Sequence, residues 1–361
     1  MTEKSTEFLY KYLNNASPTG FEASGQQIWL DYLKPYIDEQ IIDVYGTAVG
    51  VINAGKEAAN KDYRVVIEAH SDEIAWFVNY INDQGYIYVR RNGGSDAAIA
   101  PSMRVNLHTV NGPVPGVFGW PAIHVRDVAK DQVPQVHDLF IDVGAANKDE
   151  VEKMGIHVGT VVTFADGLTE MNGRYYVGRA LDNRVGGFMI AEVARMLHEN
   201  KVELPFTLYV VNAVQEEIGL RGAEMISRRL KPDLAIVTDV THDTQSPMYT
   251  KTKQGDLKCG SGPVLCYGPA VQNNVRDHII QVAQEKEIPF QRQAVSRSTG
   301  TDTDSFAYSA EGVASALISL PLKYMHTTIE TVHKDDVQNV IKLMYETLLS
   351  LKGDEDFRYI K

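Results

Sequence analysis

Four short apolar runs, each leading to a polar residue able to hold a cation, constrain this chain more than any other feature. Residues 63–69 run into His70, residues 206–214 into Gln215, Glu216 and Glu217, and residues 234–238 into Asp239. Residues 313–320 lead through the link 321–325 to His326. Runs of this kind read as buried strands of a parallel sheet, and open α/β sheets gather their ligands at the carboxyl ends of the strands. Two adjacent carboxylates where a buried strand ends are costly unless something positive compensates them. Neighbouring side chains on an extended segment point to opposite sides, so one Glu of the pair can face a metal and the other a substrate. A solvated acidic turn would account for that pair alone. It does not account for three further polar residues at the ends of similar runs.

A fifth candidate, Asp182, lies where Gly178 gives way to a helix carrying Ile190, Val193, Ala194 and Leu197 at helical spacing. An Asp at a helix start is more often a cap than a ligand, so Asp182 gains weight only beside the other four. Together the chain offers two His and three carboxylates, with one Glu left over. Imidazole plus carboxylate suits zinc, and equally cobalt or manganese. Five ligands exceed one tetrahedral zinc but suit two divalent ions if one carboxylate bridges them. The remaining Glu is then placed to take a proton from water, which is metal-assisted hydrolysis with a carboxylate general base.

The segments Ala69-His-Ser-Asp-Glu-Ile74, Ala180-Leu-Asp-Asn-Arg-Val-Gly186, Val214-Gln-Glu-Glu-Ile-Gly-Leu-Arg-Gly-Ala223, Asp239-Val-Thr241, Gly300-Thr-Asp302 and Tyr324-Met-His326 resemble those of the tetrahedral, TET-type metalloaminopeptidases. These form family forty-two of the metallopeptidases, which includes glutamyl and leucyl aminopeptidases and proteins labelled endoglucanase M. The motifs occur in the family's order and span nearly the whole chain. The resemblance implies that His70 and Asp239 hold one ion, Glu217 and His326 the other, and Asp182 bridges them. It implies that Glu216 is the general base and that Asp72 orients the His70 imidazole, a role that metal-bound His usually needs filled. Gly300, Thr301 and Asp302 would line the substrate pocket. His124 stands where the family tends to carry His and would reach the active site if its loop folded over the metal domain. The chain departs from the family in Ala75-Trp76, where Gly-Phe is usual, and in Thr327-Thr328, where Ser-Pro is common. Both departures bear on the pocket rather than on the chemistry.

Composition is compatible with this. Hydrophobic content of 44% and charged content of 23% in 361 residues are ordinary for a globular enzyme, and the length suits two domains. A net charge of −12 argues against nucleic acid, and there is no basic run to suggest an anionic membrane. No apolar stretch approaches the roughly 20 residues of a spanning helix, and the first residues lack the features of a signal peptide. Cys259 and Cys266 make no disulfide framework, and we read them as buried, idle thiols. The cytoplasm is the default compartment.

Along the chain, residues 6–14 and 22–34 read as helices, 40–52 and 63–69 as strands. From 72 to 166 the texture changes to short apolar runs (76–80, 86–89, 104–107, 161–164) between Gly, Pro and Asn turns, with only 148–154 helical. That is the texture of a small β-barrel. Strand–helix alternation resumes after Gly178 and ends in a helix over 335–351. The fold class expected is therefore α/β: a mixed sheet flanked by helices, similar to di-zinc exopeptidases, with an inserted small β-barrel. A discontinuous catalytic domain (1–71 and 167–361) would carry the ligands, and the insert (72–166) would make contacts between copies. In the family a domain at this position helps assemble a hollow dodecamer; a dimer is the smaller alternative.

Of the remaining histidines, His108, His137, His157, His198, His278 and His333 read as surface or turn residues, while His242 is placed to support Asp239. Asn92-Gly-Gly94 reads as a turn. The activity expected is removal of N-terminal residues from short peptides. An amidohydrolase, deacetylase or glycosidase on the same metal scaffold, or a non-catalytic assembly protein, is the alternative.

Overall fold

The structure, a computed structural model, describes residues 1–126 and 132–360. Its frame is a mixed sheet of eleven strands among the described residues. Side by side lie Glu39–Ile42, Ala48–Ile52, Thr207–Ala213, Arg64–His70, Leu234–His242, Ala314–Lys323, Glu330–His333, Tyr175–Gly178 and Thr169–Met171. Val264–Tyr267 and Gln291–Ala294 branch off Ala314–Lys323. The four central strands, Thr207–Ala213 to Ala314–Lys323, run parallel. They are apolar almost throughout because helices flank the sheet, and Arg64–His70 is buried from Val65 onward. Helix Leu181–Glu199 packs on Arg64–His70 and against Glu3–Asn14 and Lys334–Ser350, while Arg221–Leu230 packs with Asp302–Ala307.

The apolar run at 40–52 is two strands and not one. The Asp43 carboxylate accepts the backbone N–H groups of Tyr45, Gly46 and Thr47 at 2.8, 2.8 and 3.0 Å, which folds the chain back as an antiparallel hairpin.

Between Arg64–His70 and the strand Thr169–Met171 the chain builds a closed barrel, ordered Ala75–Ile81, Ile87–Asn92, Phe140–Asp142, Gly112–Phe118, Arg104–Thr109 and Val161–Phe164. Its core is separate from that of the sheet and centres on Trp76, with Phe118 and Phe164 edge-on to it at 5.6 and 6.4 Å. Trp76 therefore fills the barrel, and neither it nor the buried Ala75 lines the cleft at the strand ends, so this departure from the family pattern alters packing and not that cleft. Two barrel strands escape a reading of apolar runs. Gly112–Phe118 carries Pro113 and Pro115, which normally argue against a central strand. They are tolerated because only Val117 and Phe118 have a neighbour on the strand's second side. Phe140–Asp142 is only three residues long. No helix of the described residues is long and apolar enough to cross a membrane.

Candidate metal centre

The carboxyl ends of the central strands open on a cleft of about 650 Å³ whose floor holds Asp182, Glu216, Glu217, Asp239 and His326. Behind that floor lies His70, buried at the end of its strand. Its Nε2 faces Asp182 Oδ1 at 3.2 Å, Glu216 Oε2 at 3.8 Å and Asp239 Oδ1 at 3.8 Å. His326 Nε2 lies 3.3 Å from Asp182 Oδ2 and 3.5 Å from Glu217 Oε2. Asp182 thus turns one oxygen to each imidazole. It is not a helix cap: Asp182 and Asn183 have non-helical backbone angles, and the residue at the cap position is Ala180, with no side-chain bond. Nor does Asp239 end its strand, which continues to His242.

Glu216 and Glu217 do divide between the imidazoles, but not through the pleat of a strand. The strand stops at Ala213, and the two residues sit in a turn entered through Gln215 at φ 59° and left through Leu220 at φ 63°. Asp72 aims them. Its Oδ1 accepts the N–H of Glu216 at 3.0 Å, and its Oδ2 accepts that of Glu217 at 3.2 Å and the Thr19 hydroxyl at 2.8 Å. Asp72 Oδ1 also stands 3.4 Å from His70 Nδ1, so one buried carboxylate positions three residues of the cluster.

Burial holds the carboxyls of this cluster in tension. It pushes Asp239 up to about 7 and Glu216 up to about 11, and raises Glu217 as well, with neighbouring carboxylates adding to each. Asp182 is the exception: burial would raise it, but the His326 and His70 rings outweigh that and hold it well below the usual carboxylate range. Burial works against the charged form of both rings as well, yet the surrounding carboxylates raise His70 well above its ordinary value and His326 to about 11. No Lys or Arg stands among the described residues lining the cleft. A surplus of buried carboxylates beside two imidazoles is a donor set that suits divalent cations. His70, Glu216 and Asp239 each offer an atom within 4.8 Å of the others, and so do His70, Asp182 and Glu217. Spacing alone does not separate Glu216 from the ligands.

Gly300 and Thr301 line the cleft, as does His242. Asp302 does not; it is buried behind the floor against Glu68, a carboxyl two residues before His70 on the same strand. His124 is exposed in the short turn Ile123–Val125 and is absent from the described lining, so within one chain it is not brought to the centre. His108 and His333 are half-buried: His108 Nε2 bonds the Thr163 hydroxyl at 2.8 Å, and His333 Nδ1 accepts the Asp335 N–H at the start of Lys334–Ser350.

Asn92-Gly-Gly94 is more than a turn. A Cβ on Gly94 would lie 2.6 Å from His326 Nδ1, and one on Gly93 would lie 3.2 Å from the Glu217 Cβ. The barrel backbone therefore lies directly against two residues of the cluster. A reading of motifs also assigns no role to Glu68, Glu73 or Glu330. Glu68 was legible as a charge on the His70 face of its strand. Glu73 accepts the Ser17 N–H at 2.7 Å and pairs with the Arg179 guanidinium, which anchors the approach to Asp182. Glu330, buried at the start of its strand, accepts the backbone N–H groups of Asp182 and His326.

The family model of M42 glutamyl aminopeptidases matches residues 50–343. The lysyl aminopeptidase of Pyrococcus furiosus is 35% identical over 96% of this chain and 97% of its own length. The TET aminopeptidase of a marine sediment archaeon of the Thaumarchaeota superposes with a TM-score of 0.90 at 28% identity, covering 97% of this chain and 98% of that one. The TET1 peptidase of Pyrococcus horikoshii, which can assemble into a tetrahedron or a large octahedral shell, superposes with a TM-score of 0.84 at 26% identity over 96% of this chain and all of that one. On the family match and on the geometry just described, the chain belongs to the M42 glutamyl aminopeptidase family and is a metal-dependent aminopeptidase, a hydrolase of peptide bonds.

Proposed function

We propose that the centre holds two divalent ions, zinc or cobalt with manganese as the further choice. His70 and Asp239 hold one, Glu217 and His326 the other, and Asp182 bridges them. The observation that supports this best is the split of the Asp182 carboxylate, 3.2 Å from one imidazole and 3.3 Å from the other. Divalent ions in such a set supply Lewis acidity, which lowers the pKa of water and polarises a carbonyl. Glu216 accepts the proton that water loses as it attacks the first peptide carbonyl, and returns it to the leaving amine. The acidic floor accommodates the free N-terminal ammonium, which restricts cleavage to the end of a chain. Asp72 acts by holding the Glu216 and Glu217 turn and the His70 ring.

The substrates are short peptides, and the cleft lining bears on their first side chain. The lining contains Asp304, whose carboxylate accepts the Thr299 and Gly300 N–H groups at 3.0 and 3.2 Å, and among its described residues there is no Lys or Arg to meet an acidic side chain. A negatively charged first residue therefore meets like charge. The test is a panel of aminoacyl anilides on enzyme loaded separately with zinc and cobalt, with acylated amino acids and cellulosic substrates alongside. Lysyl or leucyl anilide should exceed glutamyl anilide in kcat/KM by at least about tenfold, which requires only ~1.4 kcal/mol of repulsion. Equal rates on the glutamyl substrate would refute the charge argument, and turnover only of acylated amino acids or of cellulose would refute aminopeptidase action.

Residues 72–166 act, in this reading, as an inserted domain that joins copies of the chain, leaving 1–71 and 167–361 to carry the chemistry. The separate barrel core supports the division, and a similar solved structure with a dodecamer in its asymmetric unit supports a dodecamer as the leading choice, with a dimer as the smaller alternative. A closed particle would admit short peptides and exclude folded proteins. Light scattering that returns a monomer with full peptide-trimming activity would remove this role from the insert. Both cysteines are free and buried, in keeping with the cytoplasm as the compartment.

A further inference from the structure

Asp182 and His326 reach the centre on segments whose backbone does not favour their positions. Ala180, two residues before Asp182, has φ 58°; Tyr324 and His326 have φ 61° and 60°. Left-handed backbone at a residue other than glycine costs on the order of 1–2 kcal/mol and persists only where surrounding contacts hold it. Neither segment belongs to a strand or to the regular part of a helix at the point where it meets the centre.

One side chain joins the two. Glu330 Oε2 accepts the backbone N–H of Asp182 at 2.9 Å, and Glu330 Oε1 accepts that of His326 at 2.7 Å. Its residue is 2% exposed, so neither bond is replaced readily by water. The register explains how it arrives there. Glu330 opens the strand Glu330–His333 and pairs with Gly178, the last strand residue before the segment that carries Asp182. Four residues in the other direction lies His326 itself.

We infer that Glu330 is a positioning residue for the bridged centre: its two oxygens fix the spacing between the segments bearing Asp182 and His326. The inference rests on the assignment of those two residues as ligands. Glu330 is not among the residues lining the cleft; it acts through the backbone of Asp182 and His326, which are. Its side chain is also specific in kind. Glutamine has the same shape but only one acceptor oxygen, so its amide would set a donor against one of the two N–H groups. Aspartate is one methylene shorter and cannot span both.

The test is metal affinity, measured by competition with a chromogenic chelator on the purified full-length protein, together with the melting temperature of the metal-free form. Glu330→Gln should weaken binding of the ion shared by Asp182, Glu217 and His326 by about 10–100-fold, the usual scale for a partner that orients ligands. Excess metal should restore most of kcat. A merely structural residue would lower the melting temperature and leave the affinities of folded protein unchanged, and that result would overturn the inference. Glu68→Gln removes an equally buried carboxyl that grips no ligand backbone, and an equal loss of affinity there would overturn it too. If Glu330→Gln does not fold, amide hydrogen exchange of the metal-free parent decides: the N–H groups of Asp182 and His326 should be protected, and fast exchange at either would overturn the assignment. Two ions retained by Asp182→Ala would instead remove the ligand assignment beneath it. Loss of ions in Asp182→Ala with parental affinity in Glu330→Gln would remove the role of Glu330 alone.

Discussion

Glu216→Gln is expected to retain both ions and to lose at least about 100-fold in turnover, the scale of general acid–base catalysis. The substitution preserves shape, and the backbone N–H of residue 216 still reaches Asp72 Oδ1 at 3.0 Å, so the turn and the neighbouring Glu217 stay in place. What disappears is the ability of the side chain to take and return a proton. Among the carboxylates of the cleft floor, Glu216 also has burial and three neighbouring acids, Asp239, Asp302 and Glu217, working against its ionised form. Positive charge in the centre would favour ionisation and bring the group towards the range in which a base works at neutral pH. Elemental analysis and single-substrate kinetics on the same preparation check the prediction. Unchanged turnover in a fully metallated variant would end the assignment.

The second large effect is expected from Asp182→Ala, which should lower metal content at both sites at once. The reason is the division of its oxygens between His70 and His326, an arrangement that no other residue of the cluster duplicates. Glu217→Ala or His326→Ala should mainly empty one site. Loss of an outer partner typically weakens metal binding by about 10–100-fold, so loss of a shared ligand should exceed that for each ion. Two ions retained after dialysis of the Asp182 variant would count against a bridge. Retention of one would show that the carboxylate serves a single ion.

How much of this was legible in the sequence depends on the range of the interactions involved. The strand ends that deliver His70 and the two glutamates follow from local apolar runs, and so does the change of texture at the barrel. Glu68 was equally legible, since a charge two residues before His70 shares its face. Glu330 was not: its role depends on pairing with Gly178, some 150 residues away in sequence, and nothing adjacent to it signals that contact. Gly93 and Gly94 carried the signal of an ordinary turn because the residues of the centre that they approach, Glu217 and His326, lie more than a hundred residues further along the chain. The strand Gly112–Phe118 was hidden by its prolines, whose tolerance depends on a neighbour that is absent only in three dimensions. The division of Glu216 from Glu217 was anticipated for a different cause, strand alternation, while the turn and the Asp72 carboxylate produce it.

The two glycines that meet the centre have a further consequence for how such chains can be recombined. A chimaera that takes its barrel from a relative does not exchange an inert part. It exchanges the backbone that abuts His326, where a single added methyl would fall 2.6 Å from a ring nitrogen. Crossover points placed at the edges of the barrel would therefore transfer a piece of the metal centre along with the insert. In such hybrids the donor of the barrel, and not only the donor of the ligands, sets whether the His326 ring can occupy its place.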